Sequence, residues 1–132
     1  MDKNELQERS LRFAVTTTGV MRVLRDNPSG RGPADQLSRC ASSVGANYRA
    51  ACRARSRAEF VSKLGLVVEE ADEAVYWLEL MTRSGLAGAA NLDGLLDEAQ
   101  QLRAIFAASY GTARKNLQLA QKHRRRDKSR NP

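Results

Sequence analysis

Apolar residues recur along most of this chain at steps of three and four, the spacing that lines one side of an α-helix. Leu37, Ala41, Val44, Tyr48 and Ala51 share one such stripe, and Phe60, Leu64, Val67, Ala71, Ala74, Leu78 and Met81 share another. Between them Ser56-Arg57-Ala58-Glu59 has the spacing of a capping box: the Ser hydroxyl takes the Glu59 amide, and the Glu side chain reaches back. A helix therefore starts near Arg57, and two antiparallel helices meet at a sharp basic turn. Upstream, Leu6, Ser10, Phe13, Thr17, Met21 and Leu24 trace a further stripe, with Leu11, Val15, Val20 and Val23 beside it. Downstream, Leu92, Leu95, Ala99, Leu102, Phe106, Ser109 and Ala113 trace a fourth.

The pattern predicts helices over about 4–26, 34–53, 57–84 and 92–121, an all-α, up-and-down antiparallel four-helix bundle. Asn27–Pro33 is rich in helix breakers and reads as a loop, with Pro33 in the first turn of the second helix and Asp35 near its positive end. Leu86 to Asn91 reads as a loop of small residues, Asn91 as a cap for the fourth helix, and Gly85 as the stop of the third. Residues 122–132 have too little apolar content to pack and read as a mobile basic tail on a bundle of residues 1–121.

The third helix carries more grease than one seam uses. From Phe60 to Met81, 14 of 22 residues are apolar, and Val61, Leu66, Val68, Val75, Tyr76, Trp77 and Leu80 lie off the stripe. A small bundle buries one broad face per helix, so a second contact surface is expected, and self-association is its simplest use.

Composition agrees with this picture: aromatics are 5% of 132 residues, and the prolines are Pro28, Pro33 and Pro132. The chain shows no signal-like apolar leader and no run of the ~20 apolar residues that a membrane span needs, so a soluble cytoplasmic protein is expected. Cys40 and Cys52 lie on one predicted helix, about 18 Å apart along its axis, too far for a disulfide. With His123 as the only histidine, a zinc site is not expected.

Charge adds a second theme. The formal net charge is +7, unevenly placed. Residues 27–58 hold six basic groups and one acidic, 59–98 two and nine, and 99–132 nine and one. Basic and acidic faces could pair inside an assembly, or the basic surface could meet an anionic partner.

No phosphate-binding loop, nucleophile elbow or dinucleotide fingerprint occurs, and general acid–base chemistry finds few candidates. No catalytic residue, cofactor or metal is expected.

The stretch SSVGANYRAACRARSRAEFVSKLGLVVEEADEAVYWLEL makes a resemblance specific. Ser43, Val44, Ala46-Asn47-Tyr48, Ala54-Arg55-Ser56, Glu59-Phe60, Lys63-Leu64, Glu70, Glu73 and Tyr76-Trp77-Leu78 resemble the four-helix bundle proteins encoded in intervening sequences of bacterial 23S ribosomal RNA genes. Arg9-Ser10, Phe13-Ala14, Gln36-Leu37, Arg39 and Ala108-Ser109 extend the likeness over roughly residues 5–115. The resemblance implies a bundle assembling as a ring-like homopentamer, with no established enzymatic activity for most members. A related branch, the accessory protein of diversity-generating retroelements, implies nucleic acid and a reverse transcriptase as partners. Ala50 stands where the family often has Glu, and Ala74 where it often has Thr. The Arg-rich tail is an addition to the family pattern.

Two groups of candidates follow. Arg49, Arg53, Arg55 and Arg57 form a basic corner, and Arg114, Lys115, Lys122, Arg124, Arg125 and Arg126 a basic end to helix four, continued by Lys128 and Arg130. They read either as solvated surface or as non-specific phosphate contacts to RNA or DNA, multiplied by assembly. No sequence-reading motif accompanies them. Arg39 is expected opposite Glu70 and Glu73 in an ion pair between helices or subunits. Tyr48 reads as core, Asn47 as a hydrogen bond across helices, and Tyr76 and Trp77 as core or interface. The expected function is a non-enzymatic scaffold or accessory protein that binds nucleic acid electrostatically; the alternative is a protein-partner adaptor without nucleic-acid binding.

Overall fold

Each helix begins on a side chain suited to holding its first free amides. The computed structural model describes residues 1–86 and 91–130, and its regular elements are α1 (Lys3–Leu24), α2 (Pro28–Cys52), α3 (Arg57–Ser84) and α4 (Asp93–Arg130). Asp2 accepts from the Glu5 amide at 2.8 Å, Asn27 from Ser29 at 3.0 Å, Ser56 from Glu59 at 3.1 Å and Asn91 from Asp93 at 2.8 Å. Such caps contribute about 1 kcal/mol each. At the other end of α3, Gly85 takes φ 73°, the left-handed conformation that closes a helix and that a Cβ would strain.

Two helix boundaries differ from expectation. The second helix starts at Pro28 rather than near 34, because Asn27 caps it and Pro28 occupies its first turn, where a missing N–H costs nothing. Gly30 permits the tight entry, since an added Cβ would sit 3.0 Å from the Leu24 carbonyl oxygen. Pro33 thus lies inside α2 and forfeits one hydrogen bond. The fourth helix does not stop near Gln121 but runs through Arg130. Thr112 to Arg130 contains no Gly or Pro and is rich in Ala, Leu, Gln, Lys and Arg, all strong helix formers. Its cations also suit the negative end of the helix dipole. Low apolar content decided its burial, not its helicity. The expected small-residue loop at Leu86–Asn91 falls, at residues 87–90, outside the described residues.

Consecutive helices pack antiparallel. Gly45 approaches Ser10, Arg39 meets Glu70 and Glu73, Gly65 lies against the Tyr110 ring, and Asp72 meets Arg103. Residue numbers rise on one helix as they fall on the next. α1 and α3 occupy opposite corners, as do α2 and α4, and α1 meets α4 along the shortest stretch. There Arg9 ties the two: its guanidinium donates to both Glu98 oxygens at 2.9 and 2.6 Å and to Gln101 at 2.9 Å.

Met21, Leu37, Leu64, Leu78, Leu102 and Phe106 are fully buried along the axis. Much of the surplus grease of α3 is absorbed here: Val61 and Val75 belong to the chain's own core, and Val68, Trp77 and Leu80 are half-buried. Leu66 and Tyr76 remain outside, 46% and 57% exposed. Thr17 is fully buried, yet its hydroxyl has no partner among the described residues. Its replacement by the near-isosteric Val removes that unmet desolvation cost, so Thr17→Val is expected to stabilise the fold by about 1 kcal/mol in a urea titration. No described helix is long and apolar enough to cross a membrane.

Candidate nucleic-acid interface

The basic residues gather at the end of the bundle that carries the α2–α3 turn. Arg49 lies in the last turn of α2, Arg53 caps it, Arg55 sits in the turn and Arg57 opens α3; all four are exposed. The neighbours of α4 set its level against them. With Gly65 beside Tyr110 and Asp72 beside Arg103, Arg57 stands level with about Gln118. Leu119 to Arg130 therefore project past the bundle by about 18 Å at 1.5 Å per residue.

This overhang has two different sides. Lys115, Lys122 and Arg125 line one shallow groove with Gln118, and Arg114 and Arg126 flank that stripe at helical spacing. Arg114 is partly anchored, its guanidinium carbon 5.6 Å from the centre of the Tyr110 ring. Toward the bundle, Arg124 and His123 share a groove with Arg55 and Arg57. Among the described residues, none of the ten basic candidates at the turn and along α4 lies within ion-pair distance of a carboxylate. Sequence reasoning missed Lys3, which lines a hollow with Arg55 and Arg57. It sits in a mixed-charge stretch far from them in sequence, and no local signal marks it.

The second group of candidates sits midway along the bundle. Arg39 bridges α2 to α3, contacting Glu70 at 3.3 Å and donating a shorter hydrogen bond to Glu73. Trp77 donates its indole N–H to Glu73 at 3.4 Å. The Arg39 hydrogen bond, helped by that of Trp77, holds the Glu73 carboxyl below the usual carboxylate range. A group lowered in the folded state stabilises above its unfolded value, about 4.3, and loses that contribution as pH falls toward the folded value. Because Arg39 and Glu73 are 48% and 36% exposed, the contribution belongs to the surface range of about 0.2–1 kcal/mol. Urea titrations of wild type and Arg39→Ala should differ by that amount at pH 7, and the difference should shrink as pH falls below about 4.

Tyr48 is buried, its ring centre 5.0 Å from that of Phe106. Among the described residues Asn47 makes no hydrogen bond across helices: its amide donates at 2.9 Å to the Ser43 carbonyl one turn back on its own helix, a local bond that short polar side chains favour. Tyr76 is exposed and meets Trp77 edge-on at 5.2 Å. Both cysteines are free, and burial pushes the Cys40 thiol up to about 12. Among the described residues, no three His, Cys, Asp or Glu side chains gather closely enough to hold a metal ion.

The model of the 23S rRNA-intervening sequence protein family matches residues 2–108. The chain belongs to that family. The solved structure of an S23 ribosomal protein family member of unknown function from Bacteroides thetaiotaomicron VPI-5482 is similar, with a TM-score of 0.76 and 29% sequence identity. The similarity covers 84% of this chain and 99% of that one. No curated protein matches the chain. The family match ends at residue 108, before the basic overhang of α4.

Proposed function

We propose that this family member is a non-catalytic scaffold that self-assembles into a ring, of five copies by the resemblance to its family, and binds nucleic acid electrostatically. One observation carries the nucleic-acid reading: α4 continues as an exposed helix that sets Lys115, Lys122 and Arg125 on one stripe, without carboxylate partners among the described residues. Cations spaced along a rigid rod meet phosphates and release counterions whatever the base sequence.

Self-assembly is supported by the two unpartnered faces. Leu11, Val15 and Val23 on α1 are 45%, 63% and 69% exposed, and Leu66 and Tyr76 protrude from α3. Since α1 and α3 are diagonal corners, these faces point away from each other. Arg12 and Arg22 flank the first, and Glu69 and Glu73 the second. Unlike faces on opposite sides join head to tail, and such contacts close into a ring where the rotation from copy to copy permits it. A ring would multiply the basic ends and raise their avidity. A reverse transcriptase is the protein partner suggested by the resemblance to retroelement accessory proteins.

Gel-shift titrations with duplex DNA, duplex RNA and single strands at two salt concentrations, beside sedimentation of the free protein, test both parts. Binding that weakens steeply with salt and varies little with base sequence is expected. A flat, weak response at low salt would leave the adaptor reading. A micromolar monomer would remove the ring.

A further inference from the structure

The side of α4 that faces the bundle does not end where the bundle does. Ala113, Leu117 and Ala120 follow one another at helical spacing, and all are partly buried. Ala113 lies beside the start of α3, and Leu117 is about level with Arg57. Beyond that level no helix among the described residues continues the packing. The result is an open groove of about 1170 Å³, floored by Leu117, Ala120 and Phe60 and rimmed by Arg55, Arg57 and Arg124. Its volume exceeds the roughly 300–1,000 Å³ typical of small-molecule pockets, and it is not enclosed. Along α4 it runs from Ala113 to Asp127, about 21 Å, or four helical turns.

We propose that this groove docks an acidic amphipathic helix of a partner protein. The occupant follows from the two chemistries of the lining. An aliphatic and aromatic floor rewards apolar anchors at helical spacing, which a sugar-phosphate backbone lacks. The three arginines on the rim come from the turn, from α3 and from α4, and the positive end of the α3 dipole lies beside them. Together they select carboxylates flanking those anchors. Asp127 is the acidic residue of the lining, at the far end, so the field at the centre stays positive. The basic stripe of Lys115, Lys122 and Arg125 lies on the other side of α4, so none of those three lines the groove. Neither the ring nor nucleic-acid binding is needed for this groove, whose floor and rim all come from one copy of the chain.

The test uses the full chain and a fluorescein-labelled helical peptide of about 18 residues, with Leu at i, i+4, i+7 and i+11 and Glu on the flanks. Controls are a scrambled peptide of the same composition and an oligonucleotide of equal charge. Saturable binding of the amphipathic peptide is expected, weakened at least about tenfold by Ala120→Glu and by Arg124→Glu. The exposed position of Arg124 and the overhanging position of Ala120 keep the bundle out of both changes. Circular dichroism checks that, and Lys122→Glu, on the other side, should leave peptide binding within about twofold. Equal binding of the scrambled peptide, or full displacement by the oligonucleotide, would assign the groove to charge alone and overturn the proposal. No binding at 100-fold excess over a micromolar probe would do the same. Loss of self-association in Ala120→Glu without any peptide binding would instead name a second copy as the occupant.

Discussion

Reversing three charges on the outer side of the overhang, Lys122→Glu, Arg125→Glu and Arg126→Glu together, is expected to weaken nucleic-acid binding roughly hundredfold near 0.15 M salt. The magnitude follows from counterion release. Each phosphate contact contributes a salt slope of about 0.9 on duplex DNA, so three lost contacts lower the slope by about three. At 0.15 M each such contact is worth about fivefold in affinity. The loss should be uniform across base sequences, because these side chains would contact phosphates and not base edges. All three residues are exposed on α4 outside the bundle, so the melting temperature should not move. A salt slope equal to that of wild type would show that phosphates meet the protein elsewhere. The basic corner of Arg49, Arg53, Arg55 and Arg57 would then be the next surface to reverse.

Replacing Phe106 by Ala is expected to remove a large share of the stability of the fold. The ring is fully buried, packs on Tyr48 from the opposite corner of the bundle, and belongs to the main core cluster. Truncating a buried Phe costs about 3–5 kcal/mol, the lost transfer energy plus the cavity that remains. Domains of this size hold about 5–15 kcal/mol in total. In urea the midpoint should fall by roughly 2 M, given slopes of about 1–3 kcal/mol/M. Phe106→Leu should cost less than half as much, because it keeps most of the apolar volume. A cost below about 1 kcal/mol for the alanine would mean that α4 is not seated on α2 through this ring. Assembly adds a practical point: if copies associate, both variants must be compared at one protein concentration.

The main stripes needed only the sequence, because a residue and its neighbour four positions on meet through the helix itself. Leu37, Val44, Leu64, Leu78, Leu102 and Phe106 were expected on inner faces and are buried there. The Ser56 and Asn91 caps and the Gly85 stop are equally local, each a matter of two or three residues. The pairing of Arg39 with Glu70 and Glu73 was legible for a related reason. A short turn fixes the register of an antiparallel hairpin, so position 39 must face about position 70.

Where competing local signals met, the sequence misled. Asn27-Pro28 looked like a loop and is a helix start; the basic tail looked unstructured and is helical, since charge prevents burial without preventing hydrogen bonding. Asn47 was assigned a partner on another helix and took the carbonyl one turn behind it.

The helices, their inward faces and the segregation of charge were thus legible in the chain alone, since all of them arise from interactions within about one turn or across one short link. Helix packing settled that Val61 and Val75 are core while Leu66 and Tyr76 are surface. It alone brought Arg9 to Glu98 and Gln101, and Lys3 to Arg55 and Arg57. Those meetings depend on how far each helix slides and tilts against its neighbours, which the packing of all four side-chain layers sets together. The overhang of α4 is the same kind of fact: its length follows from the register of α4 on α3, and from that come both a basic outer side and a groove.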